Sequence, residues 1–175
     1  MKKFVSCTAA LLCLAGSHHA LAADNVHFSG TLIAISCTLP DSDKDITLDF
    51  GTVIEKSLYQ YQRTKSQPFT IHLENCNPAI AGSVNVTFQG IADSELTNLL
   101  ALDSVSTAKG VALGLELADG TPLAINKAAP WVPLASGNNS LNFNAYIQAL
   151  PSQIAARSLT AGDFTATSTF VLSYQ

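Results

Sequence analysis

The chain has 175 residues, of which 47% are hydrophobic and only 13% charged; 9 basic and 13 acidic side chains give a net charge of −4. That length suits one domain of ordinary size after any processing. A sparse, mildly acidic charge distribution argues against nucleic acid or anionic lipid as a partner.

Lys2 and Lys3 precede an apolar stretch over residues 4–15, and Ala20-Leu21-Ala22 supplies a small-x-small motif. This is the layout of a secretory signal peptide, predicted as residues 1–22. The apolar run is shorter than the ~20 residues a membrane span needs, so no direct membrane insertion is expected. Cleavage would leave about 153 residues with a net charge near −6 and would remove Cys7, Cys13, His18 and His19. An exported chain meets an oxidising compartment, where Cys37 and Cys76, about 39 residues apart, read as one disulfide. Closing that loop would contribute roughly 3–4 kcal/mol on a chain-entropy account. Two buried free thiols are the alternative. His27 and His72 have no ligand spacing to these cysteines, so neither a metal nor another cofactor is expected.

From residue 26 onward the pattern is alternation with period two. Val26, Phe28, Gly30, Leu32 and Ala34 share one face, with His27, Ser29 and Thr31 on the other. The same period recurs at Ile46, Leu48 and Phe50, at Phe69, Ile71 and Leu73, and at Val84, Val86 and Phe88. It continues at Val111, Leu113, Leu115 and Leu117, and from Leu141 through Phe143, Ala145 and Ile147 to Ala149. The last such run is Phe164, Ala166, Ser168, Phe170, Leu172 and Tyr174. Each is a half-buried strand signal. Asn77-Pro78, Asp119-Gly120, Gly137-Asn138-Asn139 and Ala161-Gly162-Asp163 punctuate the runs, and Asp119-Gly120 is a hairpin candidate. Pro130, Pro133 and Pro151 mark loops or strand edges. Leu96, Leu99 and Leu100 have helical spacing, which predicts a turn or two of helix within residues 94–102. Many short strands with regular turns predict an all-β sandwich.

No Gly-x-Ser-x-Gly elbow and no phosphate-cradling glycine loop is present, and the chain is not expected to be an enzyme. Residues 41–45 begin like a calcium loop, but Ile46 stands where glycine is needed and Thr52 where glutamate is needed. Trp131 between Pro130 and Pro133 reads as a cap on a sandwich edge; a small ligand such as a sugar held there is the alternative function, on a self-complete periplasmic sandwich.

The two ends of the exported chain carry the remaining signal. Residues 26–34 form an alternating strand immediately after the cleavage site. Between Thr165 and Gln175 there is neither a charged side chain nor a proline, so a strand there would have an undefended edge. Periodicity alone leaves open that the two termini pair with each other in one closed sandwich.

Phe28-Ser29-Gly30-Thr31-Leu32 leading into Cys37-Thr38-Leu39, the run from Phe69 to Cys76, the run from Val84 to Gly90, and Gly162-Asp163-Phe164 through Tyr174-Gln175 together resemble the chaperone–usher pilins of Gram-negative bacteria. The resemblance spans nearly the whole exported chain. It implies an incomplete immunoglobulin-like sandwich that lacks its final strand, with residues 23–36 as a protruding donor extension and residues 37–175 as the pilin domain. It implies that Val26, Phe28, Gly30 and Leu32 enter the groove of a neighbouring subunit. Three large side chains buried at ~1.5–3 kcal/mol each would supply roughly 5–9 kcal/mol. It further implies that Phe164, Phe170, Leu172 and Tyr174 floor the receiving groove, and that Gly162 and the Gln175 carboxylate belong to the surface recognised by a periplasmic chaperone and an outer-membrane usher. Neighbouring pilin subunits would be the final partners, in a cell-surface fimbrium reached through the periplasm. A fimbrial structural subunit, either a shaft unit or a minor adaptor that supports adhesion, is the function so implied.

Overall fold

The apolar alternation of the sequence resolves into two antiparallel sheets. The computed structural model describes Ser29 and Ala34–Gln175. One sheet has the order β1–β6–β3–β4, where β1 is Gln67–Cys76, β3 Val111–Leu117, β4 Pro122–Leu123 and β6 Gly137–Ala149. The second has the order β5–β2–β7, with β2 Ser83–Gln89, β5 Val132–Pro133 and β7 Thr169–Tyr174. Two short helices, α1 (Glu55–Tyr61) and α2 (Pro151–Ala156), and a 3-10 turn (Asp41–Asp43) complete the elements. The chain is therefore the all-β, immunoglobulin-like sandwich anticipated above.

Register follows the buried faces. Phe69 sits opposite Phe143 and Ile71 opposite Leu141 across β1 and β6, while Leu115 faces Ala145 across β3 and β6. From the other sheet Val84, Val86 and Phe88 point into the same core. Phe88 meets Phe143 edge-on at 5.1 Å between ring centroids, and Phe69 lies 5.7 Å from Phe143. Such tilted pairs add to the area they bury. Asp119-Gly120 does turn β3 into β4: Gly120, at φ +87°, donates its N–H to the Leu117 carbonyl at 2.9 Å, and the Asp119 carboxylate takes the Thr121 N–H at 2.8 Å. Pro133 lies on the edge strand β5, and Pro151 opens α2, where its missing N–H has no intrahelical partner to lose.

Cys37 and Cys76 are joined as a disulfide, which ties the start of the described chain to the end of β1. Thr38 and Glu74 beside it exchange two main-chain hydrogen bonds of 2.7 and 2.8 Å.

Three expectations need correction. Residues 94–102 do not form a helix. Asp93 accepts the Glu95 and Leu96 amides at 2.9 and 2.8 Å, but the segment stays in turns because Leu100 pairs with Leu113 and buries itself in the core. Strand β3 is not half-buried. Ala112 and Glu116 on its outer face are buried as well as Leu115, because Tyr146 covers Gly114 and the Arg63 guanidinium lies 3.5 Å over the Tyr146 ring. Arg63 and the Ser66 hydroxyl both donate to the Glu116 carboxylate, so that buried charge is paired. Finally, residues 45–50 and 163–168 alternate in burial as predicted but belong to no ladder.

Candidate functional site

Those two unladdered stretches face one cleft. Ile46, Leu48 and Phe50 line it on one side, and Phe164, Ala166 and Phe170 on the other. Its floor is the core itself, with Phe69, Phe88, Leu100, Leu113, Leu115 and Ala145 lining a space of about 680 Å³. Phe50 and Phe164, one from each lip, approach to 6.3 Å between ring centroids. A sandwich normally interposes a strand where side chains of both inner faces would otherwise meet solvent. Here, among the described residues, no strand occupies that place.

The main chain tells the same story atom by atom. Gln175 and Ser83 exchange both their hydrogen bonds, at 3.0 and 3.1 Å. In an antiparallel pair such residues alternate with ones whose N–H and C=O point the other way. Residues 169, 171 and 173 therefore bond to β2, while Phe170, Leu172 and Tyr174 turn their main-chain groups outward. The pattern persists upstream. The Asp163 carbonyl accepts from the Thr107 and Ala108 amides at 2.9 and 3.0 Å, and the Thr165 carbonyl accepts from Asp103 at 2.8 Å. Among the described residues, Phe164, Ala166 and Ser168 have no main-chain partner. Side-chain alternation and main-chain polarity thus combine. The even-numbered residues from 164 to 174 present their side chains inward, all apolar or aromatic except Ser168, whose hydroxyl donates to the Gln89 carbonyl. Among the described residues they leave their main-chain hydrogen-bonding groups free sideways. Such an edge is a template for another strand.

The predicted site residues fall into three groups. Phe164 and Phe170 line the cleft. Leu172 and Tyr174 continue the same half-buried row and pack on the core, beyond the cleft lining; burial raises the Tyr174 hydroxyl pKa above its ordinary value. Gly162 lies against the 107–108 main chain, where a Cβ would come within 2.8 Å of the Ala108 nitrogen. Its structural use is to let Asp163 close onto that neighbour. Gln175 pairs through its main chain with Ser83. Val26, Phe28, Gly30 and Leu32 lie outside the described residues.

The opposite lip went unread in the sequence as part of a site. Ile46, Leu48 and Phe50 gave an ordinary strand signal, and only the absence of a ladder partner distinguishes them. The anchor at the head of that lip was also missed: the Asp43 carboxylate accepts the His72 main-chain N–H at 2.5 Å and lies 2.8 Å from His72 Nδ1. The His72 N–H, with the Ser42 hydroxyl and the His72 ring, holds the Asp43 carboxyl below the usual carboxylate range against the opposing effect of burial. Among the described residues no group of His, Cys, Asp and Glu is placed to hold a metal ion.

Comparison with known proteins adds to this geometry. A family model described as "Fimbrial protein" matches residues 26–175. An uncharacterised fimbrial-like protein of Escherichia coli K12 is 39% identical over 166 residues, covering 93% of this chain and 90% of that protein. The major MR/P fimbria protein of Proteus mirabilis is 36% identical over 168 residues, covering 93% and 91%. Among solved structures, the P pilus rod subunit PapA superimposes with a TM-score of 0.69 at 23% identity, over 81% of this chain and all of that one.

Proposed function

The chain belongs to the fimbrial protein family, and from that premise we propose that it is a structural subunit of a chaperone–usher fimbria whose cleft receives a strand from the next subunit. The observation that carries the reading is the cleft with two apolar lips, one of which offers a row of main-chain groups that have no partner among the described residues. A strand laid there satisfies both halves of that lip at once. Its N–H and C=O groups meet those of residues 164–174, and alternate side chains fill the space above Phe88, Leu100 and Leu113. This is recognition by strand addition, with main-chain bonds supplying affinity and pockets supplying register.

The donor is residues 23–36 of a neighbouring subunit, with Val26, Phe28, Gly30 and Leu32 directed inward and residues 1–22 removed on export. Before assembly a periplasmic chaperone fills the same cleft, with the Gln175 carboxylate as an anchor, and the outer-membrane usher is where the exchange takes place. The mature product is a cell-surface fimbrium in which this chain acts as a shaft or minor adaptor unit, holding position rather than performing catalysis. The likeness to a major fimbria protein supports a place in the shaft.

The test is Phe28→Asp in the donor segment. The variant should still form a complex with the chaperone but fail to enter a growing fibre. Incorporation at the wild-type level would overturn the reading.

A further inference from the structure

The lip formed by residues 45–50 has no main-chain bond to any other described residue, which raises the question of what positions it. Upstream, Thr38 and Glu74 exchange bonds along the free edge of β1. By the alternation of an antiparallel edge, the next residue of β1 to offer its N–H on that side is His72. A continuing strand would have answered it with a carbonyl. Instead the chain turns through Asp41–Asp43, and the Asp43 side chain takes the His72 N–H at 2.5 Å. The same oxygen lies 2.8 Å from His72 Nδ1, and the other accepts the Ser42 hydroxyl at 2.8 Å. Asp43 is 6% exposed, while its neighbours Lys44 and Asp45 are exposed at the mouth of the cleft. At the far end of the lip the Gly51 N–H meets the Asp49 carboxylate at 2.7 Å, a bond local to the lip that ties it to no other element.

We propose that Asp43 is the positioning residue for this lip: by replacing a ladder carbonyl with a carboxylate, it sets the point at which residues 45–50 leave β1 and cross toward the cleft. The lip then stands in place before an incoming strand arrives. That consequence rests on the strand-acceptor reading above; the positioning itself does not. Pre-placing the lip spares an entering strand the ordering of six residues, which is how preorganisation strengthens binding.

The experiment compares the disulfide-bonded wild-type chain with Asp43→Ala, Asp43→Asn and His72→Ala by methyl NMR. Ile46 and Leu48 report on the lip, and Ile71 and Leu73 on the core beside it. Asp43→Ala should lower methyl order at Ile46 and Leu48 while leaving Ile71 and Leu73 as in the wild type. Asp43→Asn keeps an oxygen for the His72 N–H and should restore most of the order. His72→Ala loses only the ring contact and should fall between. A synthetic peptide of residues 23–34 should bind Asp43→Ala roughly tenfold more weakly. Unchanged order at Ile46 and Leu48 in Asp43→Ala would overturn the proposal, as would an equal loss at Ile71 and Leu73. Failure of the peptide to bind the wild type would sink the acceptor reading, and the peptide-free comparison would still decide the role of Asp43.

Discussion

Strand β6 and the stretch from Phe164 to Tyr174 have the same apolar–polar rhythm, yet they meet different fates. Strand β6 is flanked by β1 on one side and β3 on the other, and its inward side chains Leu141, Phe143, Ala145 and Ile147 are 0–4% exposed. Among the described residues the 164–174 stretch is bonded on one side only, to β2 and to the 103–108 segment, and every one of its inward side chains remains half-exposed. The rhythm specifies which face turns inward. Whether that face is sealed depends on a neighbour, and a neighbour can come from another molecule.

The sharpest way to probe this contrast is to remove equivalent rings from the two regions. Phe143→Ala, at the junction of three aromatic rings, should lower unfolding free energy by about 3–5 kcal/mol in urea denaturation, and no added strand should restore it. Opening the Cys37–Cys76 bridge by a double serine substitution should remove roughly 2–5 kcal/mol, since it frees the segment leading to the cleft from the end of β1. Phe170→Ala should cost the isolated subunit only about 1–2 kcal/mol, because its ring is half-exposed before a strand arrives. The same substitution should weaken a bound donor peptide further, a coupling that Phe143→Ala would not show.

The smallest effect concerns pH. The Asp43 carboxyl has a folded-state pKa below its unfolded value, so its contribution is complete above the ordinary carboxylate range near ~4. It should fade as pH falls through the lower, folded-state value. Urea midpoints measured from pH 5 downward should therefore decline less steeply in Asp43→Asn than in the wild type. Identical slopes would remove Asp43 from the acid response.

Much of the sandwich was legible from residue types. The period-two runs at Phe69, Val84, Val111 and Leu141 all became strands, and Asp119-Gly120 became a hairpin turn, because local sterics and one-sided burial dictate both. The buried outer face of β3 was not legible. It depends on Arg63 and Tyr146 arriving from distant positions to cover Gly114 and pair Glu116. The failed helix at residues 94–102 has a tertiary cause: Asp93 caps the Glu95 and Leu96 amides as it would at a helix start, but Leu100 is drawn into a bridge with Leu113 and into the core. Of the cleft, the edge from Thr165 to Gln175 stood out through the absence of charge and proline, whereas the groove roles of Phe164 and Phe170 came only from the resemblance to pilins. The lip bearing Ile46, Leu48 and Phe50 did not stand out, since an unpaired strand and a paired one look alike in sequence.

The most direct test follows the main-chain alternation. Hydrogen exchange would be measured residue by residue on the chain carrying Phe28→Asp, before and after adding a wild-type peptide of residues 23–34. Strand addition predicts new protection at Phe164, Ala166, Phe170 and Leu172, with little change at Thr165, Val171 and Ser173. Exchange at the even-numbered residues that stays fast with peptide present at saturating concentration would contradict it.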